Sequence, residues 1–326
     1  MKNILICGAT GFIGRNMTLN FAKDPQYKVF AVRHIKPSFQ IEEAINDVIW
    51  LEADLRNSKD VKRILNNIDI VIQAAATTSG AKDIVSKPYI HVTDNALMNS
   101  ILLRESMNLG IKHFIFFSCT VMYKSSKNPI KEIDWDGSMD INDKYFGIAN
   151  TKIYIEKMLD FYSRVSDMKT TAIRHSNIYG PFDKFDLERS HVFGATISKV
   201  LTAEKDVVVW GNGEEERDLL HVEDLISFVK ASISNQSKKY QLYNCGYGKS
   251  ISIKDLVNLI VNSSEKDIKI IYDVSKPTIK TNICLDNTLA ENELHWKSKV
   301  KLEDGILRTI SWWRDNIDPE TLMMNQ

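Results

Sequence analysis

The chain has 326 residues, 44% of them hydrophobic, with 42 basic and 42 acidic side chains. This balance leaves no basic excess to neutralise a nucleic acid backbone, so nucleic acid is excluded as the expected partner. Small molecules or further copies of the same chain are favoured instead. The length suits one large domain with a smaller lobe.

The cysteines and the N-terminus indicate the compartment. The four cysteines are far apart and form no Cys-x-x-Cys pair, which argues against a zinc site and a disulfide framework. The first apolar segment is too short for a signal peptide, and no apolar run approaches ~18 residues. We therefore expect reduced thiols, no metal, no membrane contact and a cytoplasmic location.

Short β-branched segments alternate with amphipathic segments along the first half of the chain. Strands are predicted at residues 3–7, 28–32, 48–51, 70–75, 113–118 and 170–174, and helices at 13–22, 58–67, 95–109 and about 145–166. Repeated β-α units of this length predict a doubly wound parallel sheet of the Rossmann type, in the α/β class.

The second half is less regular and predicts a smaller α/β lobe over the carboxyl edge of the sheet. We predict a dinucleotide-binding domain over residues 1–175 with a return at about 219–246. A substrate-binding lobe is predicted over 176–218 and 247–326.

A glycine-rich turn follows the first predicted strand and precedes the first predicted helix. Gly8, Gly11 and Gly14 allow a tight turn, and the free N–H groups at the helix start can face a pyrophosphate. The intervening Thr10, Phe12 and Ile13 complete the expected cofactor contact. A tight turn without a ligand is the alternative. The position of the glycines at the first β-α junction favours the binding of a nicotinamide dinucleotide.

The end of the second strand bears on the choice between NAD and NADP. An acidic residue there bonds the adenine-ribose hydroxyls, whereas a basic residue pairs with a 2′-phosphate. This strand ends at Arg33, which favours NADP, although an arginine can also stack over adenine or remain solvated. Both cofactors stay open.

These motifs resemble the extended short-chain dehydrogenases/reductases, in the group of nucleotide-sugar epimerases and dehydratases, over nearly the whole chain. The resemblance implies further cofactor contacts after the third and fourth strands and on the following helix. These are Asp54, Leu55, Ala74, Ala75, Ala76 and Asn95.

The resemblance also extends into the second lobe. Asn177 lies in a segment similar to the family's Arg-x-x-Asn-x-Tyr-Gly-Pro, and Arg217 matches an arginine that holds the nucleotide diphosphate. A guanidinium fork suits that role because it pairs bidentately with phosphate. His191 and Val192 resemble the GDP-sugar members of the family.

The catalytic helix departs from the family pattern. Its members carry a tyrosine four residues before a lysine that binds the nicotinamide ribose and lowers the phenol's pKa. Lys152 fits the lysine, but Ile148 stands where the tyrosine is expected. Tyr145 lies three residues before that position, a displacement of about 4.5 Å along the helix axis. It is therefore either a displaced substitute or a packing residue.

The family's serine or threonine after the fifth strand corresponds to Cys119, with Thr120 beside it. Either the cysteine takes part in proton transfer, or it fills space and Thr120 bonds the sugar. Tyr123, His175 and Tyr179 are further polar groups near the expected pocket, although a histidine at a strand end is commonly a packing residue.

These features predict an NAD(P)-dependent oxidoreductase acting at carbon 4 of a nucleotide-activated hexose or heptose, with a GDP-sugar as one candidate. An epimerase is one alternative, and a non-catalytic dinucleotide sensor is another because of Ile148. A reductase of a neutral, non-sugar ketone is disfavoured by Arg217. The resemblance further implies a homodimer or homotetramer.

Overall fold

The computed structural model describes residues 1–39, 48–77, 88–135, 137, 140–187, 190–276 and 281–318. The described strands are β1 Lys2–Cys7, β2 Tyr27–Arg33, β3 Ile49–Glu52, β4 Ile70–Gln73, β5 His113–Phe117, β6 Lys169–His175, β7 Asn177–Tyr179, β8 Asp206–Trp210, β9 Glu216–His221, β10 Tyr240–Cys245, β11 Ser250–Ser252 and β12 Lys269–Asp273. The described helices are α1 Phe12–Ala22, α2 Ser58–Ile64, α3 Thr93–Asn108, α4 Phe146–Val165, α5 Val192–Thr202, α6 Val222–Asn235, α7 Ile253–Ser264, α8 Thr288–Leu294 and α9 Leu302–Asn316.

Seven strands form the central sheet in the order β10-β6-β5-β4-β1-β2-β3, and every neighbouring pair is parallel. Its strands are hydrophobic runs, because helices cover both faces of a doubly wound sheet. All of β5 is buried, for example. The strand order reverses beside β1, which creates a crevice at the carboxyl ends of the strands. The predicted α/β Rossmann class is confirmed.

A smaller lobe lies beyond the central sheet. It contains the three-stranded sheet β11-β9-β7 and the parallel pair β12-β8. Apolar side chains from α5, α7 and α9 form its core with Tyr179. β10 returns to the central sheet, while the exact division of the chain into domains stays a prediction.

Element ends differ slightly from the predictions, and one difference has a clear cause. The strand predicted over 70–75 ends at Gln73. The N–H of Ala75 donates to the Gln73 side chain at 3.2 Å, so a side-chain bond replaces the ladder bond. In the described ranges, no helix combines the length and apolar composition needed to cross a bilayer.

Candidate active site

The glycine-rich turn joins β1 to α1 at the crevice. Gly8 has a φ of +73°, and a Cβ there would lie 2.7 Å from the Ala75 backbone. A Cβ on Gly14 would lie 2.1 Å from the Gly8 carbonyl oxygen. Only glycine therefore fits at these two positions.

The start of α1 is built to bind an anion. Gly11 is the N-cap residue and supplies no side-chain cap, and the first intrahelical bond runs from the Arg15 N–H to the Gly11 carbonyl. The N–H groups of Phe12, Ile13 and Gly14 precede that bond and have no carbonyl partner within the helix. These groups fit the pyrophosphate of a dinucleotide.

Asn95 holds the chain that leaves β4. Its side-chain oxygen accepts from the Thr77 N–H at 3.0 Å, and its amide nitrogen donates to the carbonyls of Thr77 and His91. Asn95 thus fixes the backbone that follows Ala74, Ala75 and Ala76. A direct contact of the Asn95 side chain with the cofactor stays a prediction.

Charged side chains meet where β2 and β3 end. Arg33 forms an ion pair with Glu52 at 2.6 Å. Asp54 accepts from the Arg56 guanidinium at 2.9 and 3.0 Å, and these bonds lower its pKa to about 2. Leu55 is buried beside it. The Arg33 charge expected to attract a 2′-phosphate therefore already has a carboxylate partner.

Lys152 lies at the carboxyl edge of the sheet. Its Nζ donates to the Phe117 carbonyl at 2.7 Å and sits 4.5 Å from the centre of the Phe116 ring. Burial lowers the pKa of Lys152, while Cys119 and Glu156 oppose that change. The amine is held in place from α4 against the end of β5.

Cys119 and Thr120 follow β5 and are both half-buried. Burial raises the pKa of the Cys119 thiol, and the nearby Lys152 charge opposes this without reversing it. The thiol is therefore protonated at neutral pH. This makes Cys119 a weak base and leaves the Thr120 hydroxyl as the better hydrogen-bonding group.

A buried polar network supports this edge from below. Glu156 accepts two bonds from Arg174, at 2.9 and 2.6 Å, and one from the Ser118 hydroxyl at 2.6 Å. Arg174 also donates to the Tyr123 hydroxyl at 3.1 Å. Because Glu156 lies one helical turn after Lys152, the network fixes the strand end and the lysine helix together.

Tyr145 lies at the N-cap of α4, before the helix proper. Burial raises its pKa, and the Arg217 charge opposes the shift. Tyr145 therefore lies near Arg217, which belongs to the smaller lobe. Ile148, half-buried on the first turn, takes the position where the family pattern has its phenol.

Arg217 comes from β9 in the smaller lobe. Its guanidinium donates to the carbonyls of Glu216 and Thr281, both at 2.7 Å, and these bonds fix its orientation. Asn177 donates to the Asp218 carbonyl at 3.2 Å, next along the same strand. His191 is the N-cap of α5, and Val192 begins that helix.

Two functional features were missing from the sequence prediction. The first is the support of Lys152 by Glu156 and Ser118, for which the four-residue spacing on one helix was an available signal. The second is the orientation of His175, whose Nδ1 lies 2.8 Å from the Ser176 carbonyl oxygen, a bond that no sequence pattern predicts. In the part of the chain that is described, no cluster of three or more His, Cys, Asp or Glu could hold a metal.

The likeness of this chain to known proteins extends over most of its length. The model of the NAD dependent epimerase/dehydratase family matches residues 4–246. The chain is 28% identical over 317 residues to the GDP-L-colitose synthase of Yersinia pseudotuberculosis, covering 95% of this chain and 97% of that protein. It is 26% identical over 321 residues to the dTDP-4-dehydro-6-deoxy-D-allose reductase of a Streptomyces species, covering 96% of each.

Among solved structures, the UDP-glucose 4-epimerase of Thermotoga maritima superposes with a TM-score of 0.84 at 24% identity. The match covers 97% of this chain and all of that one. At this identity the likeness establishes the shared fold.

Proposed function

This chain belongs to the NAD dependent epimerase/dehydratase family, and on that premise we propose that it is an NAD(P)-dependent oxidoreductase acting on a nucleotide-activated sugar. The reaction is oxidation or reduction at carbon 4 of a hexose or heptose. A GDP-sugar is the favoured substrate class.

One observation carries the proposal: the chain combines a dinucleotide cradle at the carboxyl edge of the sheet with an oriented arginine near the start of the Lys152 helix. The cradle is the glycine-rich turn at the start of α1. Arg217 belongs to the smaller lobe, yet its charge acts on Tyr145 at the start of the Lys152 helix. A guanidinium held in this way suits a diphosphate, whereas a neutral ketone has no anionic group for it to bind.

The relatives support the sugar and the carbon. By their names, one makes a GDP-sugar and another reduces a 4-dehydro sugar. His191 and Val192, at the start of α5, carry the resemblance to GDP-sugar enzymes. An epimerase acting on the same substrates is the second candidate, since that activity also begins with oxidation of a sugar hydroxyl.

In this proposal each site residue has its own role in binding the dinucleotide or the sugar nucleotide. The bound dinucleotide supplies the hydride chemistry. In this proposal Lys152, whose Nζ donates to the Phe117 carbonyl, also bonds the nicotinamide ribose. Thr120 offers a hydroxyl to the sugar oxygen, Arg217 binds the diphosphate, and Asn177 shapes the pocket between them.

The proposal is tested with purified protein and a panel of GDP-, UDP-, CDP- and dTDP-hexoses, each with NAD, NADP and their reduced forms. The expected result is a change in the reduced-nicotinamide absorbance with one nucleotide class, accompanied by a product altered at carbon 4. Arg217→Gln should raise the KM for that substrate at least tenfold while leaving dinucleotide affinity unchanged.

The panel also separates the alternatives. A product changed only in configuration, with no net change in the dinucleotide, identifies the epimerase. Dinucleotide binding without turnover of any nucleotide sugar supports the sensor and contradicts an oxidoreductase. Arg217→Lys is the matched control, because it keeps the charge but loses the bidentate geometry.

We further propose that two copies associate through α3 and α4. These helices pack together, with Ser100 and Tyr154 hydroxyls 3.0 Å apart, and large apolar side chains remain exposed on them. Leu97 and Phe161 are 45% and 51% exposed. Light scattering should give a dimer or tetramer, and Phe161→Glu should dissociate it. A cytoplasmic location stays a prediction.

A further inference from the structure

The identity of the proton-transfer group is the open chemical question in the crevice, because Ile148 replaces the expected phenol. We propose that His175 exchanges the substrate's hydroxyl proton, with its Nε2 as the reacting atom. This inference rests on the proposed function, since it names the proton acceptor of that same reaction.

His175 ends β6 at the carboxyl edge of the sheet, directly beside the end of β5. Its ring packs edge-on against Phe117, with centroids 6.1 Å apart. The carbonyl of the same Phe117 accepts the bond from Lys152. One residue therefore positions both the imidazole and the ribose-binding amine.

The hydrogen bonding of His175 fixes its tautomer. Nδ1 lies 2.8 Å from the Ser176 carbonyl oxygen, which can only accept, so Nδ1 carries the proton. Nε2 is then left with a lone pair. It bonds to no residue that the structure describes and is not among the fully buried polar atoms. A substrate hydroxyl can therefore approach it.

The surroundings keep this imidazole neutral. Burial lowers the pKa of His175 to about 4, and the charges of Lys152 and His191 act in the same direction. Cys119 lies just after the neighbouring strand β5, and Cys245 of β10 is the register partner of His175 in the sheet. The imidazole is therefore neutral at pH 7, which leaves the Nε2 lone pair able to accept a proton.

The other polar groups at this edge are less suited. The Tyr123 hydroxyl donates to Asn244 at 2.8 Å and accepts from Arg174. Tyr179 is 1% exposed, with its hydroxyl packed against Gly305. Cys119 is a protonated thiol at neutral pH because burial raises its pKa.

The proposed step balances. In the oxidative direction, the carbinol C–H bond breaks and the hydrogen leaves with its electron pair to the oxidised nicotinamide dinucleotide. The O–H bond breaks and its proton moves to His175 Nε2. The products are a carbonyl, the reduced dinucleotide and an imidazolium, which returns the proton to solvent. Reduction runs the same transfers in reverse.

The first test needs no sugar. Protein labelled with ¹⁵N in its seven histidines is observed by imidazole NMR with and without NAD⁺. His175→Gln assigns the resonance. We expect the Nδ1-protonated tautomer between pH 6 and 8, and a shift of that resonance on addition of NAD⁺. The opposite tautomer, or a resonance that NAD⁺ does not move, overturns the proposal.

The second test uses the sugar identified by the panel. His175→Phe should lower kcat by roughly 100-fold or more, the range of general acid–base catalysis, with dinucleotide affinity unchanged. Ile148→Tyr in that background should restore at least tenfold by returning the phenol. His295→Asn, at an exposed helix end, is the control.

The outcomes are distinct. An unchanged kcat in His175→Phe, or no recovery with Ile148→Tyr while dinucleotide affinity is intact, overturns proton transfer by His175. If NAD⁺ moves the His175 resonance but no nucleotide sugar reacts, the proposed function fails and the placement of His175 beside the nicotinamide stands.

Discussion

Arg174 and Glu156 form a two-bond ion pair inside the protein, with nitrogen–oxygen distances of 2.9 and 2.6 Å and side chains only 3% and 4% exposed. One partner comes from β6 and the other from α4, and Ser118, the residue after β5, donates to Glu156. The pair thus ties together the elements that carry His175, Lys152 and Cys119.

Glu156→Gln should therefore destabilise the fold. Removing one charge of a buried pair leaves the other uncompensated, at a cost of about 3 kcal/mol. Urea unfolding measures the loss. The control on the same helix is Asp160→Asn, which breaks the exposed pair with Arg164 and should change little. Equal effects from the two variants would contradict the structural role of Glu156.

Gly14→Ala should lower stability even without a cofactor, because the new Cβ would lie 2.1 Å from the Gly8 carbonyl oxygen. Overpacking of this kind costs about 1–3 kcal/mol. Gly11→Ala is the control, since its Cβ would meet the same oxygen at 3.3 Å. The measurements are thermal unfolding and the Kd for NAD, which should rise at least tenfold in Gly14→Ala. A wild-type melting curve in that variant would refute the close approach.

NAD should bind more tightly than NADP. Glu52 forms an ion pair with Arg33 at 2.6 Å, so a 2′-phosphate would have to compete with this carboxylate for the guanidinium. Glu52→Gln should release the guanidinium and improve NADP binding relative to NAD by roughly tenfold, while Arg33→Gln should weaken NADP binding. Calorimetric titration measures both. Unchanged preference in Glu52→Gln would show that this ion pair does not control the choice.

Tyr145→Phe should raise the KM for the nucleotide sugar several-fold and leave kcat nearly unchanged. The Arg217 charge acts on Tyr145, so we expect its hydroxyl to contact the nucleotide part of the substrate rather than to exchange the proton. Steady-state kinetics separate the two constants. If the variant instead turns over about 100-fold more slowly at saturating substrate, Tyr145 is the displaced general base.

Stability should fall as the pH drops from about 6.5 toward 4. Burial lowers the pKa of His113 to about 3 and those of His175 and His221 to about 4. In this window these histidines therefore bind protons in the unfolded chain but stay neutral in the folded protein, so acidification favours unfolding. Each histidine contributes up to about 1.4 kcal/mol per pH unit.

Asp183 acts in the opposite sense. Burial raises its pKa to about 7. Between about pH 7 and pH 4 the carboxyl is therefore protonated in the folded protein but ionised in the unfolded chain, so acidification favours the folded state. Asp183→Asn should therefore steepen the acid loss, while His113→Gln should flatten it. Urea unfolding at pH 7, 6 and 5 measures these slopes. A stability that rises on acidification would contradict the histidine assignment.

The amino-acid sequence by itself determined the parallel sheet, the glycine-rich turn, Lys152 and the absence of the usual phenol at Ile148. These features depend on short-range patterns. The hydrophobic period, the spacing of the glycines and the spacing of residues along one helix can each be read within a short stretch of the sequence. Tertiary structure alone decided three relationships. Glu52 pairs with Arg33 across neighbouring strands, Tyr145 lies near Arg217 of the smaller lobe, and the His175 tautomer depends on a bond at a strand end. Each joins side chains through packing, and no pattern in the sequence specifies how far apart they lie.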